Sequence, residues 1–247
     1  MTWQQRSGDG VVKYVFLHGT PSDGSVWSEV MARRPAEAGC ALLDLPDHGR
    51  ARDEAQGSTA ALEARVAAHV AELGDELVLV GHSYGAYLCG RLAARLPGRI
   101  ARMVLISGFA GLPAERALGF AQMARQLESG ELGDAELASD VARTWYGPGV
   151  TPDEQRQVAL LLEQTGPERR GRLLARLAQL AQPELRVAPY PTPCVVLHAE
   201  RDAAVAFDLG RELCALGSNA RLEAWDSASH MLPLSHGARV ASAIFSD

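Results

Sequence analysis

A junction at residues 77–96 constrains the fold more than any other part of this chain. Leu77-Val78-Leu79-Val80 is a short unbroken apolar run, the pattern of a strand buried on both faces. Gly81-His82-Ser83-Tyr84-Gly85 follows. Tyr84, Leu88, Leu92 and Leu96 then recur every four residues until Pro97-Gly98 stops the helix. A strand that passes into a helix within five residues, with a serine between two glycines, fits a tight turn. Such a turn lifts the serine hydroxyl above the sheet edge, and small neighbours make it sterically possible. G-x-S-x-G is short enough to arise by chance, so its weight depends on the rest of the chain.

The same alternation runs along most of the sequence. Strand patterns fall at Val11 to Leu17, Gly39 to Leu45, Arg102 to Ser107, Cys194 to His198 and Leu222 to Trp225. Between them lie helical spacings: Val26, Trp27, Val30 and Met31; then Leu62, Val66, Val70 and Leu73, behind a cap at Ser58 or Thr59; later Leu209, Leu213 and Leu216; finally Val240, Ala241, Ile244 and Phe245. Short apolar strands separated by amphipathic helices predict an α/β fold. Its central sheet should be mostly parallel and covered by helices on both faces. Before Val11 there is room for one short strand, Thr2 to Ser7.

One stretch breaks the rhythm. Between Gly108 and Pro191 no strand pattern appears, and helices are expected at Ala114 to Leu127, Asp134 to Trp145, Asp153 to Gln164 and Pro167 to Leu180. The expected organisation is a core of residues 1–108 and 191–247, with a helical cap or lid of residues 109–190 inserted between two strands. Ligands of such sheets bind outside the carboxyl ends of the strands, where an insert of this kind would sit.

Composition narrows the function classes. A net charge of −6 gives no support for nucleic-acid binding. Of 24 basic residues only Lys13 is lysine, a bias of GC-rich, bacterial coding sequence. Chemistry needing a lysine therefore has one candidate, at the start of a strand. Cys40, Cys89, Cys194 and Cys214 are widely spaced in apolar segments and read as buried free thiols. The polar stretch Met1 to Gly10 and the lack of any 18-residue apolar run point to a cytoplasmic protein with no membrane partner. Monomer and dimer both stay open.

A serine hydroxyl at its own pKa is a poor nucleophile; it needs a base, and the base needs an orienting acid. Two residues beyond Ser83 lie just after strand patterns. Asp202 follows Val195-Val196-Leu197-His198-Ala199-Glu200-Arg201, and His230 follows Leu222 to Trp225 across a short polar loop. Glu200, Asp208 and Asp226 are the rival acids, and His236 is a rival base. Stabilising an oxyanion takes two N–H groups. Tyr84, next to the serine, is one candidate. Thr20 in Phe16-Leu17-His18-Gly19-Thr20-Pro21 is the other, because Pro21 has no N–H to offer.

These motifs, with Asp44-Leu45-Pro46-Asp47-His48-Gly49-Arg50 and Ser229-His230, make the chain resemble the α/β-hydrolase superfamily over nearly its whole length. Within it, the chain is similar to small lid-bearing carboxylesterases of the pimeloyl-ester esterase kind and to enol-lactone hydrolases. The resemblance implies a cofactor-free, metal-free serine hydrolase for a small ester or lactone, with Ser83, His230 and Asp202 as its triad and an acyl-enzyme intermediate. C–C bond or thioester hydrolysis, perhydrolase or haloperoxidase activity, and a non-catalytic receptor are the alternatives on the same scaffold. The Asp47 position is commonly glycine in relatives, which implies a different loop there.

The remaining residues have plainer readings. His18 and His82 are expected to brace the site loops, and His198 to pack at a strand end. Arg169, Arg170, Arg172 and Arg176 read as a solvated helix face, with recognition of an anionic substrate or carrier as the second reading. Phe120, Met123, Trp145 and Tyr146 are candidates either for an acyl pocket or for packing the insert onto the body.

Overall fold

The computed structural model describes residues 4–7, 11–54 and 57–246. These form seven strands: β1 (Gln4–Ser7), β2 (Val12–Leu17), β3 (Gly39–Leu43), β4 (Leu77–His82), β5 (Ile100–Ile106), β6 (Cys194–Ala199) and β7 (Ala220–Trp225). They make one sheet in the order β1-β3-β2-β4-β5-β6-β7. β1 runs antiparallel to β3, and every other pairing is parallel. Of the expected strand Thr2 to Ser7, Thr2 and Trp3 lie outside the described residues.

The body helices are α1 (Ser28–Met31), α2 (Thr59–Leu73), α3 (Tyr84–Arg95), α8 (Phe207–Ala215), α9 (Leu232–Ser235) and α10 (Gly237–Phe245). Between β5 and β6 lie α4 (Ala114–Ser129), α5 (Asp134–Tyr146), α6 (Pro152–Thr165) and α7 (Pro167–Gln179). Local chemistry sets several of these ends. The Ser58 side chain accepts the Ala61 N–H at 3.2 Å and starts α2. Thr151 and Glu154 cap each other reciprocally at the start of α6, with Pro152 at its first position.

The apolar strands divide the core into two layers. Val15, Leu17, Leu77, Leu79 and Leu105 face α2 and α3. Phe16, Val78, Val80, Val104 and Leu197 face the other way, toward Trp27, Val240 and Ile244. Period-2 alternation within each strand does this, because neighbouring side chains leave the sheet on opposite faces. Within the insert α4 packs along α7 and α5 along α6. No helix among the described residues is long and apolar enough to cross a membrane.

Candidate active site

Ser83 occupies the turn between β4 and α3 at φ 53° and ψ −116°, a conformation that a residue with a side chain adopts only under strain. Its N–H donates to Ile106 O at 2.8 Å, and its carbonyl accepts from Ala86 and Tyr87. The flanking glycines are required by close approach. A Cβ on Gly81 would lie 2.5 Å from Gly85 O, and one on Gly85 would lie 2.0 Å from Leu17 O. The turn therefore wedges α3 against β2 and leaves Ser83 half-exposed in a cavity of about 260 Å3.

His230 lies beyond β7 and lines the same cavity. Its Nδ1 is 2.8 Å from Asp202 Oδ2, and both residues are buried. Asp202 follows β6, and its Oδ1 accepts the Ala204 and Val205 N–H groups at 2.8 and 2.9 Å. Burial by itself would raise the Asp202 pKa. The adjacent His230 outweighs it, with help from the His230 and Val205 hydrogen bonds, and the carboxyl is held below its usual value. An ionised Asp202 keeps a proton on His230 Nδ1, so Nε2 presents a lone pair.

The backbone of His230 is anchored at both ends. Its N–H donates to Trp145 O at 2.6 Å, which joins the end of α5 to this loop. Its carbonyl accepts from Ser107 Oγ and His82 Nε2, both at 3.0 Å. Burial, then the nearby His230, push the His82 pKa down to about 3, so its ring is a neutral donor. His18 donates from Nδ1 to Gly19 O and accepts the Leu45 N–H at Nε2, both at 2.8 Å. His82 and His18 thus brace the loops, as expected. His198 is fully buried at the end of β6 and donates to Val205 O at 2.8 Å.

Thr20 and Tyr84 both line the cavity. Among the described residues no protein group accepts either backbone N–H, and an N–H in the first turn of a helix has no acceptor within that helix. Two donors are therefore available beside the serine.

The rival acids are elsewhere. Asp226 pairs with Arg201 on the surface, Asp208 sits in the first turn of α8, and Glu200 is exposed. His236, half-exposed, contacts Ser235 Oγ at 2.8 Å. Phe120, Met123 and Trp145 line the Ser83 cavity. Tyr146 does not; it lines a second cavity. The arginine face of α7 departs from the solvated surface expected. Arg170 is 2% exposed, pairs with Asp134 and donates to Leu162 O at 3.0 Å. Arg172 and Arg169 reach Asp47 at 3.1 and 3.9 Å, and Arg176 donates to Gly57 O at 3.0 Å. A charged face of a helix becomes a docking face when a carboxylate and carbonyls of the body meet it. Asp47 has φ 67°, in the left-handed region that favours glycine.

Ser107 and the Trp145 carbonyl escaped the sequence reading. A hydroxyl at a strand end and a main-chain oxygen carry no pattern that marks them. The position of Ser107 just past β5, the strand beside β4, is the one signal that could have found it.

A mostly parallel sheet in this order, helices on both faces and a strained serine turn at the end of its central strand define the α/β-hydrolase fold. The chain belongs to the alpha/beta hydrolase family, whose pattern it matches over residues 14–243. It is 28% identical to the pimeloyl-[acyl-carrier protein] methyl ester esterase of Methylococcus capsulatus, over 97% of this chain and 95% of that one. Among solved structures it is similar to the enol-lactonase from Burkholderia xenovorans LB400, with a TM-score of 0.81 and 22% identity, covering 98% of this chain and 94% of the other. It is also similar to a putative non-heme bromoperoxidase, BpoC, from Mycobacterium tuberculosis H37Rv, with a TM-score of 0.77 and 20% identity, covering 97% and 90%.

Proposed function

We propose that the protein is a serine hydrolase that cleaves a small carboxylic ester or lactone through Ser83, His230 and Asp202. The buried 2.8 Å contact between His230 Nδ1 and Asp202, opening with Ser83 onto one cavity, carries this reading. The similarity to a methyl ester esterase along nearly the whole chain supports it.

His230 Nε2 takes the Ser83 proton as Oγ forms a bond to the substrate carbonyl carbon. Asp202 holds the ring and stabilises the imidazolium. The Thr20 and Tyr84 N–H groups stabilise the oxyanion. His230 then gives its proton to the departing alkoxide as the C–O bond breaks, leaving an acyl-serine. It next takes a proton from water as the water oxygen bonds to the acyl carbon, and returns that proton to Ser83 Oγ as the acyl–Oγ bond breaks and the acid leaves. In a lactone the alcohol and the acid belong to one product.

Residues 109–190 act as a cap over this site, with residues 1–108 and 191–247 as the catalytic body. Phe120, Met123 and Trp145 contribute to the substrate wall. The cavity wall is mostly apolar, which suits a hydrocarbon acyl or alkyl group.

The test is hydrolysis of p-nitrophenyl acetate and butyrate, with a serine-directed phosphonate as label. Ser83→Ala should lower kcat by several orders of magnitude, up to ~10⁶ by analogy with other triads, and abolish labelling. Near-full activity in that variant would end the proposal.

A further inference from the structure

The Ser83 cavity has a neighbour. A second cavity of about 320 Å3 lies between α6 and the loop that follows β2. Among the described residues Trp145 alone lines both. Adjacent residues on either side of it open in opposite directions. Pro21 faces the Ser83 cavity and Ser22 the second; His230 faces the first and Met231 the second. On α6, Leu162 faces the first and Leu161 the second. Cavities whose walls are consecutive residues of the same segments stand back to back, and Trp145 is the divider.

Two further observations bear on that divider. Trp145 is 9% exposed, at the last turn of α5. Its carbonyl is bound by the His230 N–H at 2.6 Å, so its backbone is tied to the loop carrying the base. The second cavity has apolar surface from Val158, Leu161, Met231 and Leu234, and a polar side that carries Asp23, Gln157, Gln164 and three serines. Such a space would accept the end of a hydrocarbon chain if the indole did not close it.

From this arrangement we infer that Trp145 is the specificity-determining residue for chain length: it walls the Ser83 cavity off from the second and so limits the acyl or alkyl chain accepted. The inference rests on the ester-hydrolase reading above. Each methylene that gains an apolar environment is worth about fourfold in kcat/KM, so two to four newly accommodated carbons give roughly tenfold to a few hundredfold.

The experiment compares wild type with Trp145→Ala on two ester series, one lengthening the acyl chain and one the alcohol. The readout is the ratio of kcat/KM for long over short members. The ratio should rise by at least ~10-fold in one series. Adding Leu161→Trp, which refills the second cavity from its own side, should bring it back. A ratio unchanged in both series, or raised and not reversed by Leu161→Trp, overturns the inference. If Trp145→Ala does not fold, Trp145→Phe carries the same test with an expected gain of about fourfold, one methylene's worth.

Calorimetric binding of decanoate and myristate, with and without Trp145→Ala in a Ser83→Ala background, needs no turnover. Tighter myristate binding with Trp145→Ala supports the divider, and unchanged binding refutes it. Absence of any wild-type ester turnover would count against the hydrolase reading alone.

Discussion

Lowering the pH from 7 to 5 should destabilise this protein through its buried histidines. His82 carries one part of this effect. Its ring is fully desolvated beside His230, and its pKa in the folded state is pushed down to about 3. In the unfolded chain it returns to the model-peptide value of about 6.5. The unfolded state therefore takes up the proton first, and stability falls as the pH drops below about 6.5. At pH 5 the difference between those two pKa values amounts to ~2 kcal/mol from this one residue. His18, His48 and His198 are shifted downward as well, each chiefly by burial, and act in the same direction. Urea unfolding at pH 7 and pH 5 measures the loss. From His82 alone the midpoint should fall by about 0.7–2 M, given slopes of roughly 1–3 kcal/mol/M. His82→Asn cannot titrate, so its own difference between pH 7 and pH 5 should be smaller than that of wild type by ~2 kcal/mol. Each protein is compared with itself, so the lost hydrogen bond to His230 O cancels. An equal pH difference in wild type and variant would refute the reasoning, as would wild-type stability that is flat from pH 7 to pH 5.

Three other substitutions test separate parts of the structure. Asp202→Asn leaves no carboxylate to hold the proton on His230 Nδ1, and kcat for ester hydrolysis should fall ~10⁴-fold in steady-state assays. Gly85→Ala puts a methyl 2.0 Å from Leu17 O, where backbone must move; a loss of ~1–3 kcal/mol or more in urea unfolding is expected, and a loss under ~1 kcal/mol would mean that the α3–β2 contact is looser than described. Asp47→Gly relieves a positive φ, worth ~1 kcal/mol. It also removes partners from Arg172 and Arg169; the Arg172 pair is half-exposed and worth ~0–1 kcal/mol. The two effects nearly cancel, so a stability change beyond ~1.5 kcal/mol either way would show that one of them is misjudged.

The body was legible because its signals are local. Leu77 to Val80, a short apolar run ending at a glycine turn, reads as a buried strand, and the two glycines around Ser83 report a close approach that reading the turn required. Asp202 and His230 were found from their places after predicted strands, since the carboxyl ends of parallel strands meet along one edge. The helices of the insert were legible too; Pro152, Pro167 and the Thr151–Glu154 pair mark their ends. What each insert helix touches was not. Periodicity shows that α7 has an arginine face, but the carboxylate that faces Arg172 belongs to Asp47, 125 residues earlier. For the same reason Phe120, Met123, Trp145 and Tyr146 could not be divided between pocket and packing, and Tyr146 proved to face away from Ser83.

The tie between Trp145 and His230 gives the insert a hold on His230 that no motif marks. Three groups hold the His230 backbone: Ser107 and His82 from the body, and the Trp145 carbonyl from α5. The two body contacts fix the carbonyl side, while the N–H depends on the insert. A displacement of α5 large enough to open the Ser83 cavity on that side must break a 2.6 Å hydrogen bond one peptide from the imidazole. It would leave a backbone N–H without its partner, at a cost of ~1–3 kcal/mol while that group stays buried. Gly147, at φ 84°, lies where a Cβ would come 2.8 Å from Ala228 Cβ, so the chain leaving α5 is seated directly on the loop before His230. A movement of α4 and α7 would leave this contact intact but would have to release the bonds from Arg116 to the Ala204 carbonyl and from Arg172 to Asp47, whereas a movement of α5 would disturb His230 directly.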